Sequence, residues 1–389
     1  QLIGSSQVAG KKELCFYSVY KGMSTVLKHG TNEQAIVLYA MYSFACSKQA
    51  QYKEANQAAK IAFDLLKCYP HCAESPYIHM TLGTFVWHYC HPLQEAISLQ
   101  LKAHEIGDEF GDIYWGTLAG YANGLINFYA LGLSLEVLIE KTKKLRKLTN
   151  EYSARIIAAN NYSRLFTMLT DPKSENHLAP SAFKETEWAM IQGSVLKPFI
   201  EHLQTQYLFW SDQDDKTWQA VLAAEASLPI LSGFVAALEQ RFVAALLSCR
   251  KASGASCRQA EGSSCRQTEN DQAESFIQRS LSELEELNGY CPENFSHKLN
   301  LLRAEIGFSQ GKPAEELRPL YEAAIESAKE QGFLQYEALG NELLWRMYLA
   351  KGFGPMATGY LHNALALYRR WGCTVKVNVL EQKYAGYLS

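Results

Sequence analysis

Residues 291–384 read CPENFSHKLNLLRAEIGFSQGKPAEELRPLYEAAIESAKEQGFLQYEALGNELLWRMYLAKGFGPMATGYLHNALALYRRWGCTVKVNVLEQKY. Four stretches of helical periodicity follow one another here, separated at Gly311-Lys312-Pro313, at Gly332 and at Gly352-Phe353-Gly354-Pro355. Gly and Pro interrupt helices more strongly than other residues, so the stretch reads as two helical hairpins in series. In the second helix of each hairpin an apolar or small residue is followed three and seven positions later by others: Leu317, Leu320 and Ala324, then Ala357, Tyr360 and Ala364. Those offsets place each triplet on one helical face.

The two triplets lie 40 residues apart, and the same arrangement occurs upstream as Ala55, Ala58, Ala62 and as Ala96, Leu99, Ala103, which are 41 apart. Small residues at such positions let paired helices approach closely, as in helical repeat proteins with periods of ~34 to ~47 residues. The predicted fold is therefore all-α. It is a superhelical array of antiparallel helical hairpins, a tetratricopeptide-like α-solenoid with a period of about 40 residues and extended helices.

Outward from that stretch, residues 1–10 are Gly/Ser-rich and predict a flexible lead. The string from Gly4 to Lys12 imitates a phosphate-binding loop but has five residues between its glycines, Lys12 in place of Ser or Thr, and no strand before it. Helical periodicity covers 13–28, 32–48, 52–68, 75–91, 92–109, 113–131, 134–149 and 151–169. Thr31 or Asn32 is placed to cap the second of these, and Pro92 opens the fifth, where a missing amide hydrogen is harmless. Residues 171–180 predict a polar loop, and further helices are expected at 181–191, 194–210, 214–227 and 230–250. From Cys249 to Asp271 the composition turns to Ser, Gly, Gln and Arg, with Ser256-Cys-Arg-Gln259 repeated as Ser264-Cys-Arg-Gln267. Too little apolar surface is present there to offset ordering entropy. The domain expectation is thus repeats over 11–249, a disordered insertion at 250–270, and C-terminal repeats over 271–389.

Of the 389 residues, 48% are apolar and 20% charged, and the formal net charge of -3 gives no electrostatic footprint for nucleic acid or for an anionic membrane surface. The basic run from Lys141 to Lys147 follows Glu136 and Glu140 on one helix and reads as a solvated face. The aromatics of 112–131 have no interleaved Lys or Arg, so they read as core, not as a stacking platform. Ten cysteines at irregular spacing, several within apolar helical stretches such as Cys46 and Cys90, fit reduced thiols and a cytoplasmic location. Residues 1–10 lack the features of a signal peptide, and no apolar run reaches the ~18 residues of a spanning helix. The chain opens on Gln1 in mid-pattern, which fits a segment of a longer polypeptide.

The densest set of potential metal ligands is Cys68, His71, Cys72, His79, His88, Cys90 and His91. Cys68 and Cys72 with His88, Cys90 and His91 would close a four-ligand zinc site only if two helix ends met, and the spacing matches no standard zinc module. The acidic groups Asp212-Asp214-Asp215 and Glu283-Glu285-Glu286 read as a loop and a solvated helix face. No nucleophile elbow, zinc-protease helix, dinucleotide loop or kinase signature occurs. No catalytic, cofactor-binding or metal residue is assigned.

The phrases Pro292-Glu-Asn-Phe-Ser-His-Lys298, Glu337-Ala-Leu-Gly-Asn-Glu-Leu343, Tyr348-Leu-Ala-Lys-Gly352 and Ala366-Leu-Tyr-Arg-Arg-Trp-Gly372, followed by Lys376-Val and Leu380-Glu, resemble one family. It is the helical repeat region of very large bacterial and fungal signalling proteins. These carry a serine/threonine-kinase-like domain, an AAA-type ATPase module, the helical repeats, then usually a GAF domain and a histidine kinase. His29-Gly-Thr-Asn-Glu33, Tyr39-Ala-Met-Tyr42, Trp87-His88 with Pro92-Leu-Gln-Glu-Ala96, and Gly111-Asp112 are also similar. The resemblance implies a non-catalytic scaffold or sensor relay coupling the ATPase to an output kinase, with a protein partner, neighbouring domains or a small ligand on its concave face. None of the kinase, ATPase, GAF or histidine-kinase motifs occurs in this chain, so those activities carry over to none of its residues. The alternatives are a ligand-sensing helical repeat module of a regulator, and a metal-dependent helical enzyme using the 68–91 cluster.

Overall fold

The computed structural model describes residues 12–117, 123–148, 154–192, 194, 196–256 and 264–388. Helices account for the regular structure, and no strand occurs among the described residues. Two compact units divide the chain, residues 1–127 and 128–389.

Unit 1 begins with α1 (Lys12–His29), α2 (Ala35–Lys48), α3 (Tyr52–Cys68), α4 (Ser75–Phe85) and α5 (Leu93–Phe110), followed by the short α6 (Ile113–Thr117). The side chain of Asn32 accepts the Ala35 amide at 3.1 Å and caps the start of α2 as its position suggested. The pairs α2/α3 and α4/α5 pack along their lengths, and α2 also packs on α4. Ala55, Ala58 and Ala62 are all buried on α3, and the Ser43 hydroxyl of α2 donates to the Ala55 carbonyl at 2.6 Å. Such a contact requires the two helix backbones to come close, which the alanine face permits. The predicted helix 75–91 stops at Phe85, and a 3-10 turn at Trp87–Tyr89 precedes Pro92. The predicted helix 113–131 is present as α6 and α7 (Gly124–Leu131), with 118–122 outside the described residues.

Unit 2 continues through α8 (Leu135–Leu148), α9 (Ala154–Thr170), α10 (Glu185–Gln192), α11 (Leu196–Trp210), α12 (Asp214–Ala224), α13 (Leu228–Leu231), α14 (Val235–Ser256) and α15 (Ser264–Tyr290). Then come α16 (Pro292–Ser309), α17 (Ala314–Gln331), α18 (Leu334–Ala350), α19 (Thr358–Trp371) and α20 (Thr374–Lys383). From α14 to α19 each helix packs on the next. The fourth periodic stretch of 291–384 is two helices, because Gly372 takes a left-handed φ of +92° and ends α19. In the triplets the first and third residues are buried throughout, whereas Leu99, Leu320 and Tyr360 are only half-buried, and Ala357 precedes α19 instead of lying on it.

The segment expected to be an insertion is helical as far as Ser256 and again from Ser264. Its first residue, Arg250, is packed into the unit, and Lys251 lies over the Trp218 ring at 4.9 Å. The expectation of disorder at 257–263 falls outside the described residues.

Sequence neighbours do not account for all the packing of unit 2. Gln335 of α18 donates to the Ala130 carbonyl at 2.7 Å, and the Trp371 ring lies 5.0 Å from that of Trp210 and 6.1 Å from that of Tyr129. The last helices thus pack on the first helices of the same unit. Gly132 marks the contact: its φ is +89°, and a Cβ there would overlap the Gln335 side chain. Gly132→Ala is expected to lower stability by about 1–3 kcal/mol through backbone strain and loss of that approach. Gly30→Ala, at the same φ but with open space around it, should lose only the strain. Thermal denaturation of both variants checks the difference.

Candidate functional site

Ionisable side chains concentrate in the interior of unit 2, and the turn between α11 and α12 builds the first cluster. Ser211 and Gln213 close this turn by bonds to the Tyr207 and Leu208 carbonyls at 2.7 and 3.1 Å. Asp212 between them takes φ +58°, a left-handed conformation that Asp tolerates better than most residues. Its carboxylate faces Lys376 of α20 at 3.2 Å and Lys383 at 2.7 Å. Lys376 also reaches Glu342 of α18 at 2.9 Å, and the Tyr368 hydroxyl donates to the other Glu342 oxygen at 2.7 Å. Around them stand Arg250, paired with Asp214 at 2.8 Å, Arg346, 3.8 Å from Glu342, and Glu305, which accepts the Tyr321 hydroxyl at 2.5 Å.

Burial alone would raise the pKa of Asp212, but Lys376, Arg250, Arg346 and the bond from Lys383 hold its carboxyl well below the usual range. Glu305 shifts the other way: burial pushes its pKa up, against the Tyr321 bond and the nearby arginines. The loop read at 212–215 is present as the turn at 211–213, with Asp214 and Asp215 opening α12. Asp212 is a buried junction between α11 and α20, and Asp214 anchors Arg250. Of the acids at 283–286, Glu285 and Glu286 are exposed, with Glu285 meeting Arg303 at 2.9 Å, whereas Glu283 is half-buried against Arg241 at 2.5 Å.

The second cluster joins α14, α16 and α18. Lys298 lies 3.1 Å from Glu239, and the Tyr336 hydroxyl donates to the same carboxylate. The Lys298 ammonium sits over the Tyr336 ring at 4.2 Å and donates to the His297 Nε2 at 3.1 Å. Burial lowers the Lys298 pKa, and Glu239 opposes that shift. An apolar wall with an aromatic face and one carboxylate retains a lysine in a protein interior at less penalty than an unpaired charge would carry.

These residues come from the phrases that set the chain apart in sequence: His297 and Lys298, Glu342, Tyr368, and Lys376. Their arrangement cross-links helices. Each carboxylate in the two clusters faces a basic group or a hydroxyl donor, so the geometry suits holding helices in register better than moving protons. Sequence reasoning passed over Lys376 and Glu342 as sites. Their signal is a charged residue within an apolar run, as in Val375-Lys376-Val377 and Asn341-Glu342-Leu343-Leu344.

A buried histidine adds a pH response. His202 of α11 bonds through Nδ1 to Gln240 at 3.1 Å, and Gln240 donates to Thr205 at 3.1 Å. Burial pushes the His202 pKa down to about 4, with the Gln240 bond opposing. A histidine held neutral contributes stability that is complete above the ordinary value near 6.5 and is lost as pH falls toward 4. The loss over that window is expected to be on the order of 3 kcal/mol. His202→Gln should flatten this part of the profile relative to wild type. Urea midpoints at pH 7 and pH 4.5 test it, and equal pH slopes in the two proteins would refute it.

The Cys/His set of unit 1 does not converge, and among the described residues no three His, Cys, Asp or Glu side chains are grouped to hold a metal. Cys68 is exposed at the end of α3, Cys72 lies 3.6 Å from Glu74, and Cys90 faces the Tyr52 carbonyl at 3.6 Å. His79 bonds to Ser75, whereas His91 bonds to Asn56 at 2.8 Å and stacks on Trp87 at 4.0 Å. His88 is buried, and burial pushes its pKa down to about 3. These residues are separated because their helices present them to different neighbours.

No protein-family model matches the chain, and no curated protein matches it. No helix among the described residues is long and apolar enough to cross a membrane.

Proposed function

We propose that this chain is a non-catalytic, tetratricopeptide-like helical scaffold of a signal-transduction protein, a relay that couples an ATPase-type module to an output kinase. The observation that carries the reading is where the ionisable chemistry lies. Charged residues of the distinctive phrases are buried as bridges between helices, Lys376 to Asp212 and Glu342 and Lys298 to Glu239, so they act on the arrangement of helices. A stack of helical hairpins with a period of about 40 residues then offers its outer surfaces to neighbouring domains of the same polypeptide or to a protein partner. The resemblance of 291–384 to the repeat region of kinase and ATPase signalling proteins supplies the biological setting, which is cytoplasmic.

The test is to identify the natural polypeptide that contains this chain. An antibody against the chain should detect a product far above 43.7 kDa. Its tryptic peptides should include kinase and ATPase sequences. A product near 43.7 kDa with no associated kinase or ATPase would overturn the relay. Metal analysis of the purified protein addresses the enzyme alternative, which requires stoichiometric metal that Cys72→Ser removes. A thermal-shift screen with metabolites addresses the ligand-sensing alternative.

A further inference from the structure

We propose that unit 2 binds a small oxyanion, one phosphate or carboxylate group, on the side-on fork of Arg250. This guanidinium donates from Nη1 to Asp214 at 2.8 Å, while its Nε and Nη2 have no hydrogen-bond partner. The side chain is only 9% exposed. The free N–H groups at Nε and Nη2 run parallel along one edge, the geometry that meets two oxygens of one carboxylate or phosphate. Leaving such donors buried without an acceptor is unfavourable, so the edge favours an acceptor wherever one can reach it.

Arg346, which acts on the same acids, is the second guanidinium of the cluster. Its Nη1 also lacks a hydrogen bond, with Glu342 no nearer than 3.8 Å. Both guanidiniums lie within electrostatic reach of Asp212 and Glu305, and Glu342 acts on Arg250 as well. None of these acids closes on the Arg250 fork. Asp212 is taken by Lys376 and Lys383, Glu342 by Lys376 and Tyr368, and Glu305 by Tyr321. The basic groups Arg250, Arg346, Lys376 and Lys383 balance Asp212, Asp214, Glu305 and Glu342. Burial shifts Glu305 toward its neutral form, which weakens its competition for the fork.

The fork lies just beneath the surface, since the Arg346 side chain is 24% and that of Asp214 40% exposed. The Nε and Nη2 atoms themselves are closed to solvent, so an anion gains the fork only as the more exposed Arg346 and Asp214 side chains move aside. This inference stands apart from the scaffold reading, because an anion could bind there whatever the surface of the chain engages.

The experiment is calorimetric titration of the purified chain with sodium phosphate and, separately, with sodium acetate, at constant ionic strength set by sodium chloride. Saturable binding of at least one is expected. Arg250→Lys, which keeps the charge but has no fork, and Arg346→Gln should each weaken it tenfold or more. Arg279→Lys, at a surface pair with Glu225, should leave it unchanged. Tighter binding in the phosphate arm assigns a phosphoryl ligand, and tighter binding in the acetate arm assigns a carboxylate. The proposal is overturned if neither anion binds saturably, or if Arg250→Lys and Arg346→Gln both bind as wild type does. Should Arg250→Lys fail to fold, Arg346→Gln and wild-type crystals soaked in sulfate decide. Sulfate on the fork supports the site, and a water or the Glu305 carboxylate in its place removes it.

Discussion

Lys376→Ala is expected to lower the stability of unit 2 by about 3–5 kcal/mol, because it leaves two buried carboxylates without their shared counter-charge. Asp212 would keep the Lys383 pair and the more distant attraction of Arg250 and Arg346, and Glu342 would keep the Tyr368 hydroxyl and the more distant Arg346. The bridge as a whole contributes far less than this figure, since desolvation of three charges offsets most of their attraction. Replacing all three at once, as Asp212→Asn, Glu342→Gln and Lys376→Met, should therefore recover much of the loss. Urea denaturation at pH 7 of wild type, single and triple variants measures both numbers. A single-variant loss below about 1 kcal/mol would show that the bridge is solvated, as exposed ion pairs are. Acid adds a second readout. The depressed carboxyl of Asp212 contributes stability that is present above the ordinary Asp value of about 4 and is lost as pH falls through and below it. In Lys376→Ala that acid limb should be shallower.

Trp371→Ala should lower stability by about 3–5 kcal/mol through loss of a fully buried ring and the cavity left behind. Its consequences should spread along an unusual route. At the free end of a stack held only by nearest neighbours, the mutation would loosen 354–389 alone. Here the ring packs between Trp210 of α11 and Tyr129 of α7, so hydrogen exchange should accelerate in α19, in α20, at the end of α11 and around 128–131 together. Acceleration confined to 354–389 would refute the closure of unit 2. Its complete burial rules out a role for Trp371 as an exposed docking residue.

Much of the secondary structure is legible because its signals are local. Gly332 at the end of α17, Asn32 at the start of α2 and Pro292 in the first turn of α16 act within a few residues of themselves. Gly372 was the exception among the helix ends of 291–384. Tyr368, Trp371 and Val375 keep offsets of three and seven across it, so the apolar pattern runs on while the backbone breaks. All three are buried, but on two helices, because consecutive helices can present their faces to one core. Asp212 does lie in a turn, but its ion pairs were not legible, for a related reason. Acidic residues near a turn are usually solvated, and nothing nearby announces lysines 164 and 171 positions away.

Helix content and the pairing of sequence neighbours are determined by the sequence alone, since periodicity, caps and small residues act over one or two turns of chain. The alanine faces of α3 and α5 belong to that class, as does the glycine stop of α17. Only the tertiary structure decided the fate of the charged residues within those helices. Whether Lys376, Glu342, Lys298 or Arg250 meets water or a counter-charge depends on helices brought alongside from distant parts of the chain. Burial and Coulomb attraction depend on distance in space, and periodicity specifies which face of a helix is apolar without specifying which partner will cover it.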